Sequence, residues 1–270
     1  MKHLIIGYGT VGKSTGKFLE ANKEDVWYHD KNRRKVRDIK HTSLLPRNLE
    51  KFDMIWICTS EKVVETVIKQ IPPFLRETIY IIVRSTTVPG TLDMLEKKYD
   101  IRMLIHNPEF LREKTAINDM FFTNRVVIGC NNGLGEYFVK VVYGSLHCPK
   151  IITNLKTSEL IKQVANAWLA TQISFWNEIK DVCDKSGVNP QEVANTVTLD
   201  KRISKYGSAM LGTGFQGKCL PKDLTNLIEY MKEVNVNPFV LHAVRNYNEG
   251  LEARRKYERN YNRAKNKKWY

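Results

Sequence analysis

The sequence lacks the marks of several large protein classes. No apolar run in its 270 residues is long enough to span a bilayer. The opening Met1-Lys-His-Leu-Ile-Ile-Gly7 reaches glycine before a signal-peptide core can form, so export is not expected and a cytoplasmic location is. The five cysteines, Cys58, Cys130, Cys148, Cys183 and Cys219, are odd in number and widely spaced, with no CxxC pair. That argues against a disulfide framework or a zinc site and fits a reducing compartment. The six histidines show no HxxxH spacing and the acids do not cluster, so no metal site is expected. There is no internal repeat and no low-complexity segment. Acidic side chains are also scarce, 29 against 43 Lys and Arg, leaving a formal charge of +14. Such an excess favours anionic partners, whether nucleic acid, a membrane surface or small phosphate-bearing molecules, and by itself does not choose among them. Eight of the Lys and Arg lie between Arg254 and Lys268, mixed with Glu258 and several Asn, which reads as a solvated helix face rather than a nucleic-acid site.

What is present is the composition of a globular protein, 42% hydrophobic and 27% charged, at a length that suits one large α/β domain or two smaller ones. From residue 3 to about 150, short β-branched or aromatic runs alternate with helical stretches. The candidate strands are His3-Ile6, Asp25-His29, Met54-Cys58, Thr78-Arg84, Ile101-Ile105 and Arg125-Gly129, with helices over Thr10-Ala21, Glu61-Ile71 and Gly90-Tyr99. This pattern predicts a Rossmann-like, doubly wound parallel sheet over residues 1–155. From Thr157 the alternation stops. Apolar residues at Ile161, Val164, Ala165, Trp168, Phe175, Ile179 and Val182 predict one long helix to Ser186. Residues 156–270 should be all helical, with a helix near Gln191-Val197, a glycine-rich loop at 207–217 and more helix from Pro221 onward.

Gly7-Tyr-Gly-Thr-Val-Gly12 follows the first strand and opens a helix, the context in which GxGxxG marks a dinucleotide site. Gly7, Gly9, Thr10, Val11 and Gly12 are then the pyrophosphate-binding candidates. The same stretch to Ser14 also reads as GxxxxGK[ST], the P-loop of nucleoside triphosphate enzymes. Two downstream features favour the dinucleotide. The second strand ends at Asp30, where a Rossmann fold bonds the ribose hydroxyls, and the third runs into Thr59 and Ser60 rather than a magnesium-binding aspartate. Asp30 would repel a 2′-phosphate, so NAD is expected. Lys31, Arg33, Arg34 and Lys35 leave NADP as the alternative.

The chemistry-bearing candidate is Cys219, in Gly212-Thr-Gly-Phe-Gln-Gly-Lys-Cys-Leu-Pro-Lys-Asp223. Pro221 suits the first turn of a helix, which places the thiol near a positive helix end with Lys218 and Lys222 beside it, and both effects favour thiolate. The other four cysteines read as structural. Lys162 and Asn166, four apart on the long helix, share a face and could donate jointly to an oxyanion, or be an ordinary surface pair. Asn107-Pro108 looks like a helix start. If one begins there, Glu109 and Glu113 share a face; the alternative is that Glu113 pairs with Arg112 or Lys114. His106 reads as a packed or capping residue rather than a base.

Taken together, the chain resembles the UDP-glucose/GDP-mannose dehydrogenase family over nearly its whole length. The motifs carrying the likeness occur in order: Gly7-Tyr-Gly-Thr-Val-Gly12, Arg84-Ser-Thr-Thr-Val-Pro-Gly-Thr91, Asn107-Pro-Glu-Phe-Leu-Arg-Glu-Lys-Thr-Ala-Ile117, Glu159-Leu-Ile-Lys-Gln-Val-Ala-Asn166 and Gly214-Phe-Gln-Gly-Lys-Cys-Leu-Pro-Lys-Asp223. The resemblance implies four-electron oxidation of a nucleotide-sugar primary alcohol to a carboxylate with two NAD, trapping the aldehyde on a cysteine as a thiohemiacetal and then a thioester.

By that resemblance Cys219 is the nucleophile. Lys162 and Asn166 stabilise oxyanions, Asp223 with Thr86 positions or deprotonates water, and Glu109 assists proton transfer or thioester hydrolysis. Thr59, Ser85, Thr86, Glu113 and Lys222 join the cofactor site. Phe110, Leu111, Lys162, Asn166, Arg202 and Gly214 contact substrate, Arg202 from across a homodimer built on the long helix. Two departures stand out. Gln216 and Lys218 replace the small residues usual in the cysteine loop. The resemblance also implies a third, C-terminal α/β domain that holds the nucleotide, for which this sequence has no counterpart. The expectation is a short form whose missing domain comes from a separate chain, or whose substrate is a different or non-nucleotide alcohol, or which is a non-catalytic NAD- or nucleic-acid-binding protein.

Overall fold

The computed structural model describes residues 1–32, 39–41 and 49–266, with side chains as far as Tyr257. Arg33, Arg34 and Lys35, weighed above for NADP, lie outside the described residues, as do Lys267, Lys268 and the tail side chains beyond Tyr257. The chain divides into two compact units, Met1–Lys162 and Gln163–Tyr270.

The first unit is a seven-stranded sheet in the order β2-β1-β3-β4-β5-β6-β7. Its strands are β1 (Lys2–Ile6), β2 (Asp25–His29), β3 (Met54–Ile57), β4 (Tyr80–Val83), β5 (Leu104–His106), β6 (Val126–Gly129) and β7 (Lys150–Thr153). All neighbours are parallel except β5 and β6. The strands read as near-continuous apolar runs because both faces are covered. On one face Leu4, Ile6, Ile55, Ile57, Ile81, Val83 and Leu104 pack under α2 (Glu61–Gln70), α3 (Pro73–Arg76), α4 (Thr91–Tyr99) and Leu155. Their strand neighbours Ile5, Met54, Trp56, Ile82, Ile105 and Ile128 pack under α1 (Thr10–Ala21), α5 (Ala116–Phe121) and α6 (Gly135–Tyr143). A period of two thus sorts the sheet into two cores, the doubly wound arrangement expected. The chain leaves β1 on one side for β2 and returns on the other for β3, so a topological switch point lies at their C-terminal ends.

Among the described residues seven strands replace the six expected. Lys150-Ile-Ile-Thr153 escaped because it is a short edge strand after Pro149, with Ile151 and Ile152 partly exposed.

α7 (Leu155–Ser186) starts in the first unit and continues through the second, beginning two residues before the expected Thr157. It ends at Gly187, whose φ of 72° no helix allows. α8 (Pro190–Val197) follows, its first turn capped by Asn189, whose Oδ1 accepts from the Gln191 amide at 2.9 Å. The helix expected from Pro221 onward is two helices, α9 (Cys219–Glu233) and α10 (Phe239–Asn266), parted at Asn235 with its positive φ and at Pro238. Ile173, Trp176, Phe215, Leu224, Ile228 and Val244 form the buried interior of this second unit.

Candidate active site

The glycine loop closes β1 onto α1. Gly7 has φ +100°, and a Cβ there would meet the Cys58 carbonyl oxygen at 2.5 Å; one at Gly12 would meet the Gly7 oxygen at 1.9 Å. Neither position admits a side chain. At Gly9 a Cβ would meet nothing within 4 Å, so the backbone there is open to a ligand. Gly9 is also the N-cap of α1, and no side chain caps that end. First-turn N–H groups beside Thr10 and Val11 therefore remain available to a phosphate, with the positive helix end behind them. At the end of β2, Asp30 Oδ2 accepts from the Tyr8 amide (2.9 Å) and Oδ1 from the Asn32 amide (2.8 Å), which fixes the carboxylate beside the loop. The P-loop reading fits less well. Ser14, which would have to face magnesium, is 1% exposed and donates to the Thr10 carbonyl. Lys13 Nζ sits 5.0 Å from the Tyr8 ring centroid. On the same sheet edge, the Ser85 hydroxyl donates to the Thr59 carbonyl at 2.8 Å, tying the ends of β3 and β4, and half-buried Thr86 follows. These residues fit a dinucleotide: an open glycine cradle, an uncapped helix end and a fixed carboxylate.

The segment after β5 departs from the sequence expectation. Buried Arg84 donates to Asn107 Oδ1 (2.6 Å) and to the Tyr143 hydroxyl (2.8 Å), while Asn107 Nδ2 donates to the Val127 carbonyl (3.0 Å). With its side chain spent inside the sheet, Asn107 caps nothing, and helix starts only at α5. Glu109 and Glu113 therefore share no helical face. Glu113 is exposed in a short 3-10 turn, and Arg112 pairs with Asp119 instead. Glu109 accepts from the Leu111 amide (2.7 Å) and lies 3.3 Å from Lys162 Nζ. Lys162 is only 4% exposed, and the Phe110 ring centroid is 5.3 Å from its Nζ and 3.9 Å from the Arg125 guanidinium carbon. The first unit thus assembles Glu109, Phe110, Leu111 and Lys162, a buried proton donor beside an acceptor.

Two buried groups nearby were not singled out as sites. Glu159 takes hydrogen bonds from the Thr87 hydroxyl (2.8 Å) and the amides of Gly90 (2.6 Å) and Leu92 (3.0 Å), gripping the start of α4. Burial holds its carboxyl up to about 7, although those three bonds pull the other way. A sequence signal for it existed, since Glu159 lies three residues before Lys162 on α7. His106 is fully buried with Nδ1 2.6 Å from the Ser158 hydroxyl, and burial lowers it to about 3. It is a packed, neutral residue, as expected.

In the second unit, Cys219 is exposed and is the first residue of α9, with no side chain capping that end. Asp223 lies one turn on along the same helix and is 1% exposed. Asn166 Nδ2 donates to its Oδ2, and Lys222 Nζ lies 2.7 Å from its Oδ1. Gly214 sits buried in the preceding loop with φ +63°. Arg202 is exposed, its guanidinium forked onto Asp200. Among the described residues no group of three or more His, Cys, Asp or Glu could hold a metal ion, and no helix is long and apolar enough to cross a membrane.

Residues 46–147 match the NAD binding domain of the UDP-glucose/GDP-mannose dehydrogenase family, and residues 156–250 match its central domain. The chain belongs to this family. The UDP-glucose 6-dehydrogenase of Rickettsia prowazekii is 34% identical over 214 residues, covering 72% of this chain and 49% of that protein. A putative UDP-glucose 6-dehydrogenase of Bacillus subtilis, YtcA, is 28% identical over 92% of this chain and 68% of its own. Among solved structures, a UDP-glucose dehydrogenase from Pyrobaculum islandicum superposes with a TM-score of 0.83 at 25% identity, over 92% of this chain and 68% of that one. The chain spans about half the length of the Rickettsia relative. An NAD binding domain is part of this family, and the expectation of NAD over a nucleoside triphosphate is borne out.

Proposed function

We propose that this chain carries the NAD-binding and cysteine-bearing parts of a nucleotide-sugar 6-dehydrogenase that oxidises the primary alcohol of UDP-glucose, or a close relative, to the carboxylate. The observation that carries this reading is Cys219 at the start of α9, one turn from an Asp223 that is buried and held by Asn166.

Gly7, Gly9, Thr10, Val11, Gly12 and Asp30 would hold NAD, with Thr59, Ser85, Thr86, Glu113 and Lys222 assigned to it by the family resemblance, and the bound cofactor would supply a two-electron acceptor for each of two oxidations. Between them, Cys219 Sγ bonds to the aldehyde carbon, giving a thiohemiacetal whose oxyanion Lys162 and Asn166 stabilise. After the second oxidation the carbon is a thioester. Asp223, with Thr86, takes a proton from water, whose oxygen displaces the sulfur, so carboxylate and thiolate leave together. Glu109, paired with Lys162, relays the remaining proton. Phe110, Leu111, Gly214 and Arg202 orient the sugar, Arg202 across a homodimer built on α7. That dimer is supported by a row of exposed apolar side chains on the helix, Val164, Trp168, Phe175 and Val182.

The test is NADH formation with a panel of UDP- and GDP-sugars, run on the native sequence and on Cys219→Ser. Turnover is expected in the first and lost in the second. Full turnover by the serine protein removes the covalent step. Gln216 and Lys218, both exposed beside Cys219, add bulk and positive charge, so the panel includes nucleotide-free alcohols; activity on those alone replaces the nucleotide-sugar reading.

A further inference from the structure

The loop that delivers Cys219 is held through both backbone polar groups of one residue. Phe215, four residues before the thiol, donates its amide to Asn248 Oδ1 (2.9 Å) and accepts at its carbonyl from Asn248 Nδ2 (3.2 Å). A primary amide facing a peptide in this way satisfies both backbone groups at once, as a neighbouring strand would. Asn248 is 4% exposed and Phe215 2%, so neither peptide group has water as a ready substitute. The approach is close enough to dictate the sequence next door. A Cβ on Gly214 would lie 2.6 Å from Asn248 Oδ1 and 3.1 Å from Leu251 Cδ2. Two turns along α10 from Asn248, Arg255 Nη1 donates to the Thr213 carbonyl at 2.6 Å. Asn248, Leu251 and Arg255 stand at i, i+3 and i+7, one face of α10 applied to Thr213–Phe215.

We propose that Asn248 is a positioning residue for the reaction: by pairing with both backbone groups of Phe215 it fixes where α9 begins and hence where Cys219 Sγ stands. The proposal rests on the reading of Cys219 as nucleophile. Asn248 reaches both backbone polar groups of Phe215. An apolar side chain there would leave a buried N–H and C=O without partners and set the loop adrift, while Arg255 reaches the Thr213 carbonyl, further from the thiol. Asn248 acts through Phe215, without touching substrate.

The experiment compares Asn248→Ala, Asn248→Asp and Val244→Ala with the native sequence. Val244 lies one turn away on α10, buried and with no polar side-chain group, so its truncation weakens the same helix without removing a hydrogen bond from Phe215. Three quantities are read: kcat against KM for NAD, the rate at which iodoacetamide alkylates Cys219 at neutral pH by peptide mass spectrometry, and the melting temperature. Asn248→Ala should lower kcat by roughly tenfold to a hundredfold, the scale of an ångström's misplacement, with KM for NAD within about twofold. Alkylation of Cys219 should slow severalfold as the first turn of α9 frays and its N–H groups cease to favour thiolate. Asn248→Asp, which can still accept from the Phe215 amide, should fall between, and remains informative if the alanine protein fails to fold. Val244→Ala should lose melting temperature and keep both rates. Native kcat and alkylation in Asn248→Ala, or equal losses in Val244→Ala, overturn the proposal. Full turnover in Cys219→Ser overturns the covalent reading instead, and the alkylation rate still reports on the Asn248 pairing.

Discussion

Gly9 and Gly12 lie three residues apart in one loop and are glycine for different reasons. At Gly12 the missing Cβ would stand 1.9 Å from a backbone oxygen, while at Gly9 it would stand in open space. Gly12→Ala should cost about 3 kcal/mol or more, because backbone has to shift to admit the methyl. Gly9→Ala, in an extended conformation at an exposed N-cap, should cost no more than about 1 kcal/mol. Its methyl would occupy the space a pyrophosphate needs, so NAD affinity should still fall about tenfold or more, roughly 1.4 kcal/mol. Thermal melts with calorimetric titration of NAD separate the two, and a Gly9→Ala protein that binds NAD as the native one does removes the pyrophosphate from this loop. The glycine turn and the Asp30 carboxylate fixed beside it were legible because a strand-turn-helix is local in sequence. Asn248 was not, since the peptide it serves lies 33 residues away and nothing beside it announces the pairing.

Elements were legible where they are long or periodic. α1 and β2 took their expected bounds, and α7 came within two residues at its start and ended where expected. The failures are short elements whose fate is set by distant groups: β7 at the sheet edge, and the helix that Asn107 would have started had Arg84 and Tyr143 not taken its side chain. Glu159 shows the same dependence energetically, since one carboxylate on α7 holds the loop before α4 and the first amides of that helix. Burial raises its carboxyl from 4.5 to about 7. A raised acid binds its proton more tightly folded than unfolded, so this contribution is complete below about 4.5 and is lost as pH climbs through about 7. The full span is on the order of 3 kcal/mol. Glu159→Gln cannot titrate. Its stability relative to the native protein should therefore be poorest near pH 5 and recover toward pH 8, as urea midpoints would show. A difference that stays flat, or widens with pH, means the carboxyl is ionised throughout.

At the scale of the whole molecule the apolar seam on α7 is the feature that calls for a partner. Val164, Trp168, Phe175 and Val182 are 48, 60, 53 and 59% exposed, at steps of four, seven and seven that keep them on one side of a helix. Eighteen residues separate the first from the last, about 27 Å of exposed seam at 1.5 Å per residue. Two antiparallel or parallel copies would bury it; charges on it would not disturb the interior of a single chain. The double variant Trp168→Glu, Phe175→Glu should therefore sediment as a monomer with a nearly native melting temperature, and the native sequence should sediment as a dimer. A native monomer sinks the assignment. If Arg202, exposed on its loop, serves the partner's Cys219, the dimer has a further consequence. Cys219→Ser and Arg202→Ala proteins, each inactive alone, should regain activity when mixed and allowed to exchange. One of the two sites in each mixed dimer then combines an intact Cys219 with an intact Arg202, and random pairing restores about a quarter of the native sites. No recovery, with exchange confirmed by mass, would confine Arg202 to its own chain.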